Sequence, residues 1–223
     1  MSDPPVAQQE SRQPATGITI ELITRRRIGE AGDVIARSLL VEPGLRALLE
    51  DEQARYRMMK PLMTGTVRNA ARHNSCYVAL QAGKVVGVAV WLPPGAFPFD
   101  NRTNLRMIPA LRGFIGLGRA TMNQFAEMEM NAEKHFPQEP VWYLQALGVA
   151  PGFQGKGIGS QLIVPALERA DREQLPCYLE TGTEANVRFY KRAGFAVREA
   201  GIHLAPLEDG PTHWTMMRPR PKP

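Results

Sequence analysis

The sequence predicts a single α/β domain, of α+β character, built on a mixed sheet. Three observations carry this. First, "CYVALQAGKVVGVAVWLPPG" reads as an antiparallel hairpin: two β-rich runs, 76–80 and 85–92, flank a turn containing Gly83. Second, the chain after Pro140 runs strand, glycine-rich turn, helix, strand, helix, strand, strand. Third, a long stretch of helical apolar spacing separates these two halves. Hairpin and crossover in one chain give a sheet that is not all-parallel.

Residues 1–17 are polar and proline-rich, lack the apolar core of a signal peptide, and are expected to be a disordered tail. "ITIELI" (18–23) alternates and predicts the first strand. Ile28, Val34, Ile35 and Leu39 recur at helical spacing until Pro43 and Gly44 break the pattern. Leu45, Leu48, Leu49, Tyr56, Met59, Leu62, Met63 and Val67 continue it. Two helices are expected there, because Pro61 begins a turn or kinks a helix. Pro93, Pro94 and Gly95 end the hairpin.

Residues 96–140 form a methionine-rich helical insert. Met107, Ile108, Leu111, Phe114 and Ile115 make one stripe; Met122, Phe125, Met128 and Met130 belong to another. Such stripes are expected to face a core. Methionine also suits a lid over irregular ligands, so that reading stays open. Strands are then expected at 141–150, 177–181, 195–198 and 212–218, with helices at about 157–173 and 184–193. Ile158, Leu162, Ile163, Ala166, Leu167 and Ala170 line one face of the former, and Pro165 inside it costs one backbone bond. The domain spans 18–218, and a basic, proline-rich tail follows at 219–223.

Composition excludes several classes. No apolar run approaches the ~20 residues of a membrane helix. The net charge of +5 is concentrated at Arg25, Arg26 and Arg27 and at Arg218, Arg220 and Lys222, which read as solvated charge. No basic stripe with interleaved aromatics and no finger spacing points to nucleic acid. Cys76 and Cys177 both lie in apolar runs and read as buried thiols of a cytoplasmic protein. No ligand cluster suggests a metal. The oligomeric state is not set by the sequence, and a homodimer stays open.

The stretch "QGKGIGS" (154–160) holds three glycines and a lysine between an apolar strand and a helix. A Walker A loop would need Ser or Thr after Lys156, which is followed by Gly157. A dinucleotide fingerprint would need a third glycine at position 160 or 162, which are Ser160 and Leu162. What remains is a turn of exposed N–H groups at a helix N-terminus, a ready anion site.

In this element order the sequence resembles the GCN5-related N-acetyltransferases. The acetyl-CoA motif of that family, Gln/Arg-x-x-Gly-x-Gly/Ala, is met by Gln154, Gly157 and Gly159. The later Asn-x-x-x-Tyr followed by Gly-Phe is met by Asn186, Tyr190, Gly194 and Phe195. Within the family the likeness is to puromycin N-acetyltransferase and its actinobacterial relatives, through "EPVWYLQALGVAPGFQGKGIGS", "LPCYLETGTEANVRFYKRAGF" and "GPTHWTMM". The front half and the insert depart from it. The resemblance implies a mostly antiparallel twisted sheet split at a central gap and flanked by helices, with acetyl-CoA as cosubstrate.

It also implies roles. The donor pyrophosphate would lie on Gln154, Gly155, Lys156, Gly157, Ile158, Gly159 and Ser160. The pantetheine arm would run beside Leu147 and Val149, with Asn186 and Phe189 nearby. Tyr190 is implied as the acid that protonates the leaving thiolate. Glu180, at the end of an apolar strand, is the candidate base. His135 and Trp142 flank the exit of the insert and His203 and His213 lie later; these are read mainly as structural. Cys177 as an acyl carrier is disfavoured by its place inside a strand. The implied reaction is direct acetyl transfer to a primary amine of a small molecule, such as an antibiotic or an amino-acid-like compound. Acetylation of protein lysines or N-termini, and a non-catalytic acyl-CoA sensor, are the alternatives.

Overall fold

The computed structural model describes residues 17–203 and 211–221. All of the expected N-terminal tail but Gly17, and the last two residues of the C-terminal one, lie outside the described residues.

Strand β1 (Ile18–Leu22) leads through one 3-10 turn, Arg25–Arg27, into α1 (Ile28–Ser38). Pro43 does not simply break the helix; it opens α2 (Pro43–Leu48), because Glu42 caps the N-terminus through Gly44 N and Leu45 N and proline lacks only an N–H that the first turn leaves unused. Helix α3 (Glu52–Arg72) follows, with Asp51 as its cap. The expected division at Pro61 is not there. The chain divides at 49–51, and Pro61 sits inside α3. The interior proline costs about 3 kcal/mol. Burial of Met58, Met59, Val67 and Ala70 on either side offsets it.

Strands β2 (Cys76–Gln81) and β3 (Lys84–Leu92) form the hairpin. Ala82 and Gly83 carry φ of 48° and 78°, the two positive values of a tight turn that matches strand twist. The insert folds as α4 (Asn101–Met107), a 3-10 segment Ile108–Phe114, and α5 (Arg119–Lys134). Its first stripe is not a core face. Ile108, Leu111 and Ile115 are 53%, 55% and 82% exposed, while Phe114 is buried. The segment meets α3 through Gly113, where an added Cβ would fall 2.8 Å from Pro61 Cγ, and through Ala110, 3.1 Å from an added Cβ at Gly65, and not through Ile108, Leu111 or Ile115. In the second stripe Phe125 and Met128 pack inward and Met122 and Met130 do not.

Strand β4 (Trp142–Val149), α6 (Ile158–Arg172), β5 (Cys177–Thr181), α7 (Glu184–Arg192), β6 (Ala196–His203) and β7 (Thr212–Arg218) complete the domain. Strand β6 is longer than its expected span. The sheet order is β1-β2-β3-β4-β5-β7-β6. All pairs are antiparallel except β4–β5. Helices α1 and α3 cover one face, burying Ile35, Val67 and Ala70 against Val78, Val88 and Val90. Helices α6 and α7 cover the other, burying Leu162, Ile163, Ala166 and Val187 against Trp91, Leu144 and Leu179.

The two basic clusters are less free than their composition suggests. Arg27 donates to Gly83 O, and Arg218 grips Asp171 with both terminal nitrogens at 2.6 and 2.8 Å, tying β7 to α6.

Candidate active site

The site is set by where β4 and β5 part. Their pairing runs from Trp142–Cys177 to Leu144–Leu179 and stops. Beyond it β4 stays paired to β3 up to Val149. The register shifts between Val90 and Trp91, so Gln145 is unopposed. Ala150 donates to Val86 O at 2.9 Å, on the β3 side. Alternation along an extended strand then turns the N–H groups of Leu147 and Val149 toward the split.

The glycine turn closes this cleft from the side. Gly155 and Gly157 have φ of 75° and 76°, and an added Cβ at either would meet no atom within 4 Å. The turn thus needs glycine for its backbone and leaves the space above it empty. Helix α6 starts at Ile158 and presents its first N–H groups there. At Gly159 an added Cβ would lie 3.5 Å from Phe189 and 3.8 Å from Leu147, so the turn, α7 and β4 converge.

The resulting cleft has a volume of about 560 Å³. Leu147, Val149, Gln154, Gly155, Gly157, Ile158, Gly159, Ser160, Asn186 and Phe189 all line it. Lys156 does not; its ammonium sits 5.1 Å over the Phe153 ring. Gln154 donates to Val149 O at 3.1 Å. Ser38, Glu42, Thr183 and Arg192 also line the cleft, and the sequence reading missed them. Proline favours the first position of a helix, so Pro43 is the signal that marks Glu42 as the cap.

Glu180 is the first β5 residue past the last β4 pair. Its carboxylate accepts from Tyr178 at 2.8 Å and Tyr143 at 3.2 Å. Burial pushes the carboxyl above the usual range, and the two phenol donors pull the other way. Tyr143 and Tyr178 are raised by burial and by the same carboxylate, so they remain protonated donors. Their rings pack with Phe136 at 5.3 and 5.2 Å, and Phe97 joins at 5.2 Å from Tyr143. Neither tyrosine was singled out from sequence, although Tyr178 and Glu180 sit two apart in one strand and therefore share a face.

Tyr190, on α7, is buried in the core with ring centroids 4.9 Å from Phe189 and 5.9 Å from Phe195, and unlike Phe189 it does not line the cleft. Burial raises its phenol above the ordinary range. Cys177 is buried, its thiol pushed up to about 12, so it holds no thiolate at neutral pH. Trp142 donates to Glu173 at 2.7 Å, and His135 pairs with Glu199 at 2.7 Å; both tie elements together. His213 Nε2 lies 3.6 Å from Glu42 Oε1, at the cleft margin.

The residues fit the donor that the motifs imply. The turn has the open space, the N–H groups and the cleft arginine that a pyrophosphate requires, and β4 has a free edge beside it. Comparison with known families agrees. Residues 45–195 match the sequence profile of the acetyltransferase (GNAT) family.

The chain belongs to the GNAT family.

The relatives of this GNAT chain are distant. It is 30% identical over 129 residues to an uncharacterized N-acetyltransferase of Schizosaccharomyces pombe, covering 55% of this chain and 52% of that protein. It is 35% identical over 74 residues to the mycothiol acetyltransferase of Nocardiopsis dassonvillei, 32% of this chain and 22% of that protein. The chain thus spans about half the length or less of these relatives. Among solved structures, a Corynebacterium glutamicum protein described as histone acetyltransferase HPA2 and related acetyltransferase superposes with a TM-score of 0.64 at 21% identity, covering 93% of this chain and 99% of that one. At that identity the likeness concerns the fold, and it supports the mostly antiparallel, helix-flanked sheet as a GNAT fold. Among the described residues no helix is long and apolar enough to cross a membrane.

Proposed function

We propose that this chain is an acetyl-CoA-dependent N-acetyltransferase that acts on a primary amine of a small molecule, with donor and acceptor bound together. The observation that carries the reading is the β4–β5 split. Past it the open edge of β4 shares a cleft with the glycine turn, and Glu180 is the first β5 residue beyond the pairing.

Acetyl-CoA, when bound, supplies the acetyl group and departs as CoA. Gly155, Gly157 and the first turn of α6 hold its pyrophosphate, and Arg192 adds positive charge. The N–H groups of Leu147 and Val149 bond the pantetheine arm as a neighbouring strand would. That of Val149 also steadies negative charge on the carbonyl oxygen. Glu180 takes a proton from the incoming ammonium, so that nitrogen can form the new C–N bond as the C–S bond breaks. Tyr178 and Tyr143 hold Glu180 in place. Tyr190 gives a proton to sulfur and is restored by the second proton that the nitrogen sheds as the amide forms, while the first leaves Glu180 for solvent. The raised pKa of Tyr190 keeps it in the acid form, and its ring lies 4.9 Å from that of Phe189, which lines the cleft.

The experiment is a panel of primary amines assayed for CoA-thiol release with saturating acetyl-CoA, run on the wild type and Glu180→Gln. Release with at least one small amine is expected, reduced ~10²–10⁴-fold in the variant, as for loss of a general base. No release with any small amine would overturn the reading. Release only with peptides would move the acceptor to protein.

A further inference from the structure

We propose that the first half of the insert, residues 101–119, is a docking surface for an anionic lipid layer. Leu105, Ile108, Leu111 and Ile115 would enter its apolar boundary, and the neighbouring arginines would meet its headgroups.

Helix α4 passes straight into the 3-10 segment, since Met107 and Ile108 at the junction both keep right-handed helical backbone. In a 3-10 segment side chains three apart stack in register, so three ridges result. One of them, Met107, Ala110 and Gly113, is seated on α3. A Cβ added to Gly65 would lie 3.1 Å from both Ala110 and Met107, and one added to Gly113 would lie 2.8 Å from Pro61. A second ridge, Leu105, Ile108 and Leu111, is 67%, 53% and 55% exposed, and Ile115 beyond it is 82% exposed. The remaining ridge is Arg106, Pro109 and Arg112, all exposed. The tight seat on α3 thus holds an apolar and a cationic ridge side by side at the surface.

A single exposed aliphatic side chain is ordinary, but a run of them forms a patch that marks an interaction site. The charge around the patch says what it meets. Arg102, Arg106, Arg112 and Arg119 fall between Asp100 and Glu127, and no acidic residue lies in that interval. Among the described residues none of these arginines stands in an ion pair. Arg112 donates to Pro109 O of its own segment at 2.9 Å. Asp100 is engaged as the cap of α4, accepting from Thr103 N at 2.7 Å.

An aliphatic ridge beside uncompensated guanidinium groups fits a lipid interface. Arginine stems lie along the apolar boundary while their heads stay among phosphates. The negative surface potential of an anionic layer draws them there. The two exposed ridges carry only leucine, isoleucine, proline and arginine. A specific protein partner would need hydrogen-bonding groups at its interface, whereas a lipid layer needs none beyond its headgroups. A second copy docked about a twofold axis would set these arginines against one another. None of these residues lines the donor cleft, so the inference stands apart from the acetyltransferase reading.

The test pellets the full chain with vesicles of phosphatidylcholine alone and with vesicles of phosphatidylcholine and phosphatidylserine in equal parts, at low and high salt. Partitioning at least tenfold stronger onto the phosphatidylserine vesicles is expected, weakened by salt. Ile108→Ser with Ile115→Ser leaves the charge unchanged and should lower it at least tenfold at an unaltered melting temperature. Arg106→Gln with Arg112→Gln should lower it as much. Arg25→Gln with Arg26→Gln removes the same charge from another exposed cluster and should leave most of it in place. Equal partitioning onto the two vesicles, or none, would overturn the proposal. So would full partitioning in the isoleucine variant, or an equal loss in the Arg25 and Arg26 variant. A wild-type dimer lost in the isoleucine variant, with no vesicle binding, would assign the ridge to a second copy instead. Retention on polyglutamate without vesicle binding would assign it to an acidic protein.

Discussion

Gly148 of β4 lies directly against Ser38 of α1. A Cβ added to Gly148 would overlap Ser38 Oγ and fall 3.1 Å from Ser38 Cβ and 3.2 Å from Ile35 Cα. Helix α1 is therefore seated on β4 at a glycine, and both residues line the donor cleft. Gly148→Ala should cost about 1–3 kcal/mol through overpacking and should weaken CoA binding as α1 shifts. Ser38→Ala in the same chain should recover part of the loss by removing the Oγ that clashes. Thermal unfolding and CoA titration of the three variants check this; an unchanged melting temperature in Gly148→Ala would contradict it.

Gly157 separates backbone strain from blocked space. Its φ of 76° strains any side chain, while the volume above it is open. Gly157→Ala and Gly157→Glu should share a stability loss of about 1–2 kcal/mol from the left-handed backbone. Only the glutamate reaches into the anion site, so CoA affinity should fall a further tenfold or more, about 1.4 kcal/mol. Equal CoA affinity in the two folded variants would remove the turn from donor binding.

Tyr190→Phe keeps the ring that packs on Phe189 and Phe195 and deletes only the hydroxyl. Stability should fall by no more than about one hydrogen bond, ~1 kcal/mol. If the hydroxyl protonates the thiolate, the single-turnover rate should fall ~10²–10⁴-fold with CoA affinity nearly unchanged. A chemical step close to wild type would leave Tyr190 as a core residue and assign the proton to water.

The raised carboxyls of Glu129 and Glu180 predict a pH dependence of stability. Burial, then Glu180, then Glu133 raise Glu129 from the ordinary 4.5 to about 7. Glu180 is raised as well, mainly by burial. A group with a raised folded-state pKa binds protons more tightly folded than unfolded. Its stabilising contribution is full below 4.5 and is lost as pH rises through about 7. Glu133 on α5, Glu180 on β5 and Tyr143 on β4 act on Glu129, while Tyr178, His135 and His213 act on Glu180. The melting temperature of the wild type should therefore drop across this window more than that of Glu129→Gln. Parallel profiles for the two proteins would show that Glu129 ionises as an ordinary surface group.

Much of the fold was legible before the structure. The hairpin runs end at Gln81 and Lys84 around Ala82 and Gly83, close to the expected turn, because turn geometry is written in adjacent residues. The glycine turn and the α7 motif each mark a local backbone shape, and ten of the eleven residues assigned to the donor do line one cleft. Lys156 does not, since a long exposed side chain is placed by whichever ring is near it, here Phe153. Pro61 was misread as a boundary because propensity weighs one residue, while α3 is held by the apolar face it buries on both sides of that proline.

By itself the sequence determined the order of elements, the glycine turn at the start of α6 and the faces that alternate along each strand. These depend on neighbours a few residues apart, through φ preferences and the two periodicities of the backbone. The tertiary structure alone decided that β4 and β5 part after Leu144 and Leu179, and that Tyr143 of β4 comes to donate to Glu180 of β5. It also decided that Ile115 faces water although its spacing marks a core position. Spacing fixes which residues share a face, but not what that face meets. Burial, desolvation and charge–charge contact are set by elements distant in the chain, and those are the terms that shape this site.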